Sequence, residues 1–291
     1  MSIELISILL FGSMLLLLAA GLPVAFVLGG LAVVFTGVFW GPESLFIILA
    51  RTFSMMSSTT LVAAPLFVLM AVVLERSGVA EDLYEMMYRW SGGIKGGLAV
   101  GTVLACTLIA AMSGIASTGV VMMGVMALPE MLKRGYDKRI ATGCILAGGV
   151  LGPLIPPSIA LVLYGTMAQV SIGGLFAGGM AAGLLCSFLI IGYILLRCYI
   201  NPKMGPAIPV EERANWEAKI ASLKGVILPL LLITAVLGSI YTGIATPTEA
   251  AAVGAFGAFV CSAIHGRLTW DLIKNVAYTT IQVQGFMMWI L

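Results

Sequence analysis

The chain of 291 residues predicts an all-α, polytopic membrane protein, and three observations carry that expectation. Hydrophobic residues make up 60% of it and charged residues 10%, with a mean hydropathy of +1.11, whereas soluble domains carry about 25% charged residues. Its apolar runs reach the ~20 residues that a helix needs to cross a hydrocarbon core. Two of those runs are interrupted by small residues and prolines, at Met112–Gly119 and at Gly148–Ser158. The net charge of +2 points to no nucleic-acid partner, because the basic residues are spread over loops and never interleave with aromatics. Cys106, Cys144, Cys186, Cys198 and Cys261 stand singly, without metal or disulfide spacing, and are read as small apolar packing residues. The N-terminus has no basic stretch before its apolar run, so no cleaved signal peptide is expected.

Glu4–Ala20 and Leu22–Trp40 are expected to be two spans, with Gly41-Pro42-Glu43 as the turn after them. Ser44–Leu74 is read as one long, tilted or kinked span, with a short re-entrant pair as the alternative. Ala80–Trp90 sets Glu81, Asp82, Glu85 and Arg89 among Leu83, Met86 and Met87, a pattern too polar to span that fits an amphipathic interfacial helix. Gly96–Leu128 divides into two halves of about 14 to 16 residues. Halves that short favour a re-entrant hairpin with its tip near the midplane. Lys133–Arg139 is the most basic loop.

Ile140 to about Val170 carries Gly148, Gly149, Gly152, Pro153, Pro156 and Pro157 at its centre. Proline removes a backbone donor and clashes with the preceding turn, so the run is expected to break into two half-helices joined by extended backbone. At membrane depth such a break requires protein or a water-filled cavity around it, and its helix ends make sites for ions and charged solutes. A continuous span follows at Ile172–Leu196, then a polar connector, Asn201–Lys224, with a short surface helix around Val210–Leu223. Gly225–Tyr241, Pro247–Ile264 and Leu272–Leu291 are three further apolar segments.

With the N-terminus outside and the hairpin entering and leaving on one side, every lysine and arginine except Arg51 falls on the cytoplasmic side, as the positive-inside rule requires. A weak internal repeat also shows. Gly21-Leu-Pro-Val-Ala, a span and Trp40-Gly41-Pro-Glu resemble Ala245-Thr-Pro-Thr-Glu-Ala, a span and His265-Gly266-Arg. The crossings between them make the second copy inverted. The implied organisation is residues 1–95 as scaffold spans and an interfacial arm helix, 96–171 as hairpin and broken helix, 172–224 as a span and connector, and 225–291 as the start of the second repeat. The chain is therefore expected to be a fragment lacking a second hairpin and broken helix, and alone to be incapable of transport.

Leu128–Arg139 running into Ala-Thr-Gly, Gly152-Pro-Leu-Ile-Pro-Pro-Ser158, Ile172-Gly-Gly-Leu-Phe-Ala-Gly-Gly179 and Tyr241-Thr-Gly-Ile-Ala-Thr-Pro-Thr-Glu-Ala-Ala-Ala252 together resemble the large membrane subunit of the tripartite ATP-independent periplasmic (TRAP) transporters, the DctM-like family. The resemblance covers the whole chain in order. It implies an inverted-repeat, elevator-type transporter of a bacterial inner membrane, with a periplasmic N-terminus, that uses a sodium gradient to import an organic acid. Its implied partners are a periplasmic solute-binding protein and a small four-helix membrane subunit, which is not expected to be fused to this chain. Sodium as coupling ion is implied, with no other cofactor.

By resemblance, the hairpin tip and the helix break enclose sodium, which maps the ion to Ser113, Gly114, Gly152 and Pro156. A hard cation takes oxygen ligands, and unwound backbone beside a hydroxyl supplies them without a buried charge. Ser117, Thr118, Pro157 and Ser158 are assigned to the solute path. Small-residue helix packing is the alternative for Ser113 and Ser117, and an N-cap is the alternative for Ser158. Thr246, Pro247 and Glu249 read as a capping box, with Thr as N-cap, Pro at N1 and Glu at N3. Glu43 and Arg51 sit where a binding protein would dock, with snorkelling at a helix end as the alternative, and His265 is read as a loop residue. An intramembrane enzyme would need a nucleophile with a base, a carboxylate pair or a metal site, which the spans do not offer. Nor do they show the charge rings of a channel. The competing reading is an elevator-type, ion-coupled anion transporter of another family that works without a binding protein. Scarcity of buried Asp, Glu and His argues against proton coupling.

Overall fold

In the computed structural model, which describes residues 2–114, 116–209, 211 and 214–290 without the side chains of Trp289 and Ile290, the chain is all-α, with no strand among the described residues. It forms two compact units, up to Ser58 together with the chain from Ile281, and Thr59–Thr280.

The first unit holds α1 (Ile3–Ala19), α2 (Val24–Trp40), α3 (Leu45–Met56) and the last residues of α13 (Trp270–Ile290). Ser2 caps α1 by accepting a hydrogen bond from the Leu5 amide, and Gly21 turns the chain with φ +85°. Both α1 and α2 have 17 residues, about 26 Å at 1.5 Å per residue, a little under a ~30 Å hydrocarbon core. Phe11, Leu15, Leu16 and Phe26 are exposed and only Val27 is buried on α2. An apolar surface of that extent belongs against lipid or another membrane helix.

The expected single span over Ser44–Leu74 is instead divided. Helix α3 stops at Met56, a 3-10 turn covers Thr59–Val62, and α4 (Ala63–Arg76) follows. Ser57-Ser58-Thr59-Thr60, four successive residues of low helix propensity, stand at the break. Pro65 sits in the first turn of α4, where its missing N–H has no intrahelical partner to lose.

In the second unit α5 (Val79–Ser91) lays Val79, Leu83 and Met86 onto α6 (Gly97–Ser113) and α11 (Trp216–Tyr241), leaving its acidic face outward. Arg267 clamps its start, donating to Asp82 Oδ2 at 3.0 Å, to Asp82 Oδ1 at 3.2 Å and to the Ser77 carbonyl at 2.7 Å. Helix α12 (Pro247–Ile264) closes on α4 through a small-residue face of Ala250, Ala251, Gly254 and Ala258. Helix α6 is the buried centre, packed by α4, α5, α8 (Lys138–Gly149), α7 (Ala116–Lys133) and α10 (Ile172–Ile200). Thr107 of α6 shares a buried 2.8 Å hydrogen bond with Ser187 of α10. The arms α6 and α7 run to 17 and 18 residues, longer than the sequence suggested, because α7 continues through Pro129 to Lys133. A re-entrant reading therefore rests on the glycine turn, not on arm length.

Of the surface helix expected around Val210–Leu223, the residues from Trp216 on are instead the first turns of α11. Asn215 caps α11 at 2.9 Å from the Ala218 amide, and α11 then runs unbroken to Tyr241. Val210, Glu212 and Arg213 lie outside the described residues, as do Ile115 and Leu291.

Tyr136 anchors the turn between α7 and α8. It is buried, its hydroxyl accepts from the Leu98 amide at 3.2 Å, and burial pushes it up to about 12. Tyr136→Phe leaves that amide without its acceptor at the start of α6, with an expected loss of about 1–3 kcal/mol, read by thermal unfolding. The raised value also fixes a sign. The phenol's contribution is complete below its ordinary range near 10 and declines as pH rises through about 12.

Candidate ion and solute site

Helix α8 ends at Gly149 and α9 (Ile159–Ala168) begins after Ser158, but the joining segment is not the expected extended backbone: residues 150–157 form turns and bends, closed by hydrogen bonds from the Leu154 and Ile155 amides to the Leu151 carbonyl. Ser158 is fully buried and does two things. Its hydroxyl donates to the Pro153 carbonyl at 2.6 Å and accepts from the Leu161 amide at 3.4 Å as N-cap of α9. The first bond closes the break on itself and the second caps α9, so one hydroxyl holds the loop and the helix together.

Glycines bring the other elements onto this loop. Gly114 ends α6 at φ +61°, and a Cβ there would lie 2.4 Å from the Pro157 carbonyl oxygen and 3.2 Å from Ser158 Cα. On the far side, a Cβ on Gly179 of α10 would lie 2.5 Å from the Leu154 carbonyl oxygen, and one on Gly183 would lie 2.4 Å from Ile155 Cγ1. Along the hairpin a Cβ on Gly119 would lie 3.2 Å from Gly149 Cα, and one on Gly149 would lie 2.7 Å from the Val120 nitrogen. The break is thus held by the hairpin tip and α10, with backbone against backbone at Gly114 and Gly179 and the Ile155 side chain against Gly183.

The tip touches the break where α6 ends and α9 begins, whereas α8 ends against Val120 of α7 and, through Gly148, against Val103 and Cys106 of α6. Helix α6 stops at Ser113, α7 starts at Ala116, α8 stops at Gly149 and α9 starts at Ile159. Helix C-termini carry partial negative charge and favour cations, and N-termini favour anions. Ser113, Gly114, Gly152, Pro156 and Pro157 are buried. Among the described residues the carbonyl oxygens of Gly114, Gly152, Pro156 and Pro157 accept no hydrogen bond. Unpaired buried carbonyls are costly, and a hard cation with oxygen preference is one partner that satisfies them. Ser117 is exposed and Thr118 half-buried, both in the first turn of α7. Among the described residues no cluster of three His, Cys, Asp or Glu side chains has metal-binding geometry.

Thr246, Pro247 and Glu249 are elsewhere, at the start of α12. The Thr246 hydroxyl accepts from the Glu249 amide at 3.3 Å, the Glu249 carboxylate accepts from the Thr246 amide at 2.8 Å, and Pro247 stands in the first turn. His265 ends α12 with its Nδ1 2.8 Å from the Cys261 carbonyl. Sequence reasoning assigned no site role to Gly119, Gly149, Gly179 or Gly183. The signal for the last two was present as Gly179-x-x-x-Gly183, a spacing that lets another backbone approach one helix face.

The family described as "Tripartite ATP-independent periplasmic transporter, DctM component" matches residues 11–291. The C4-dicarboxylate TRAP transporter large permease protein DctM of Vibrio cholerae serotype O1 is 35% identical over 261 residues, 89% of this chain and 55% of that protein. The isethionate TRAP transporter permease protein DctMQ of Oleidesulfovibrio alaskensis is 35% identical over 286 residues, 94% of this chain and 43% of that protein. The ectoine TRAP transporter large permease protein TeaC of Halomonas elongata is 32% identical over 241 residues, 82% and 55% of the two chains. The chain spans about half the length of the curated relatives it matches.

Proposed function

The chain belongs to the DctM component family of the tripartite ATP-independent periplasmic transporters, and from that membership we propose that it acts in the large permease subunit of a sodium-coupled, binding-protein-dependent importer of small organic acids. The single observation that carries this reading is the contact of the α6–α7 tip with the α8–α9 break, where Gly114 at the C-terminal end of α6 lies against Pro157 and Ser158 and the buried carbonyls of Gly114 and Pro157 accept no hydrogen bond among the described residues. Sodium is held there by the Ser113 hydroxyl and the carbonyls of Gly114, Gly152 and Pro156. The carboxylate of the solute is met at the N-terminal ends of α7 and α9, past Ser117 and Thr118, with Pro157 and Ser158 shaping the start of α9 from behind. The site binds and moves its ligands and makes or breaks no bond. The named solutes of the relatives, C4-dicarboxylates, isethionate and ectoine, support a small polar solute. In the proposed assembly a small membrane subunit and a periplasmic binding protein complete the importer in a bacterial inner membrane. The N-terminus is periplasmic, the orientation that leaves all lysines and arginines but Arg51 cytoplasmic.

The test is uptake into proteoliposomes by the permease at the full length its gene encodes, with its small subunit and binding protein, with and without an inward sodium gradient. Accumulation that needs both the gradient and the binding protein is the expected result. Accumulation that proceeds without the binding protein would assign the chain's chemistry to an autonomous elevator-type anion transporter.

A further inference from the structure

We infer that the groove between α8 and α10 binds one anionic glycerophospholipid, headgroup against Arg139 and acyl chain along Gly143. The groove encloses about 330 Å³ and is lined by Ile140, Gly143, Ala147 and Ile190, with Arg139 and Tyr193 as its polar members. Its direction is fixed by the loops. The Asp137 amide donates to the Met204 carbonyl at 3.0 Å, which places the start of α8 beside the end of α10. Arg139 and Tyr193 therefore mark one end of the groove, and Ala147 and Leu189 the other. From Arg139 to Ala147 the groove runs eight residues, about 12 Å, comparable to the ~15 Å depth of one leaflet's hydrocarbon.

The charge at that end is uncompensated. Arg139 is exposed, and among the described residues its side chain makes no hydrogen bond or ion pair. Lys138 beside it is also exposed. Arg134 of the same basic loop is already engaged, with Glu130 at 2.6 Å. The nearest carboxylate in sequence, Asp137, is the N-cap of α8 and accepts from the Arg139 amide at 2.8 Å. Two cations in the first turn of α8 stand at the positive end of its dipole, an arrangement that a phosphate relieves. Tyr193, exposed at the same end, suits headgroup depth. A second groove on the other flank of α10 repeats the design, with Ile94, Leu195 and Leu196 below Lys95, whose Nζ lies 6.0 Å from the Tyr199 ring centroid. The Gly96 amide donates to the Gly205 carbonyl at 2.8 Å, so Lys95 also lies at the end of α10.

Gly143 provides a variant that fills the groove without disturbing the fold. A Cβ there meets nothing within 4 Å, and leucine is the better helix former. The experiment is native mass spectrometry of the detergent-purified permease at its full encoded length, with phosphatidylglycerol or phosphatidylcholine added. Retention of phosphatidylglycerol over phosphatidylcholine is expected, falling about fivefold in Arg139→Gln. In Gly143→Leu one phosphatidylglycerol fewer is retained than in the wild type while the lipid-free thermal midpoint stays at the wild-type value. Equal retention of the two lipids, or the same number of phosphatidylglycerol molecules retained by Gly143→Leu as by the wild type, overturns the inference.

Discussion

Gly114→Ala is expected to lower stability by about 2–4 kcal/mol and to abolish uptake by the assembled transporter. Two effects add. At φ +61° an alanine pays roughly 1–2 kcal/mol for the left-handed conformation. Its Cβ would also stand 2.4 Å from the Pro157 oxygen, and the obstacle is backbone that no rotamer change removes. Either the tip lifts from the break or the break deforms. Gly135 supplies the control, because it shares the left-handed conformation, φ +78°, but has open space at its Cβ. Gly135→Ala is expected to show the conformational cost alone, with uptake retained. Thermal unfolding and uptake of the two variants separate the effects. Equal losses in both would mean that the contact between tip and break contributes nothing.

Gly179→Ala is expected to cost about 1–3 kcal/mol, from overpacking alone, since the residue lies inside helix α10 without a left-handed φ. Its Cβ would meet the Leu154 oxygen at 2.5 Å and Leu161 Cδ1 at 2.9 Å. The leucine side chain can yield, but the carbonyl cannot without moving the loop, and uptake is expected to fall with stability. Gly178→Ala, one residue away, meets nothing within 4 Å and is expected to be neutral or slightly stabilising, as alanine is the better helix former. Identical thermal midpoints for the two variants would show that α10 does not support the break.

The all-α membrane class was legible from composition, and the helix break from its prolines, because both are local properties of the chain. The turn at Gly114 was legible for the same reason. What escaped was tertiary. The Gly179-x-x-x-Gly183 spacing announces a close approach to one face of α10, but only the structure shows that Leu154 and Ile155 make it. The division of Ser44–Leu74 was underestimated because four successive hydroxyl residues were weighed as a kink, whereas α3 stops outright and a 3-10 turn intervenes. The connector failed in the opposite direction. Its polar stretch looked like a separate surface helix, but nothing between Leu223 and Gly225 ends a helix once Asn215 has capped one. Arm length misled for the hairpin, since Pro129 did not stop α7.

Sodium held between tip and break is the central claim, and the most direct measurement is the thermal midpoint of the purified permease, at its full encoded length, in sodium against equimolar potassium. A ligand that binds only the folded state stabilises it by about 2.7 kcal/mol at a hundred times its dissociation constant. The expected result is a higher midpoint in sodium for the wild type, with the increment lost in Ser113→Ala while the potassium midpoints of the two proteins agree. Equal wild-type midpoints in the two ions, or an undiminished sodium increment in Ser113→Ala, would contradict the assignment of the ion to this site.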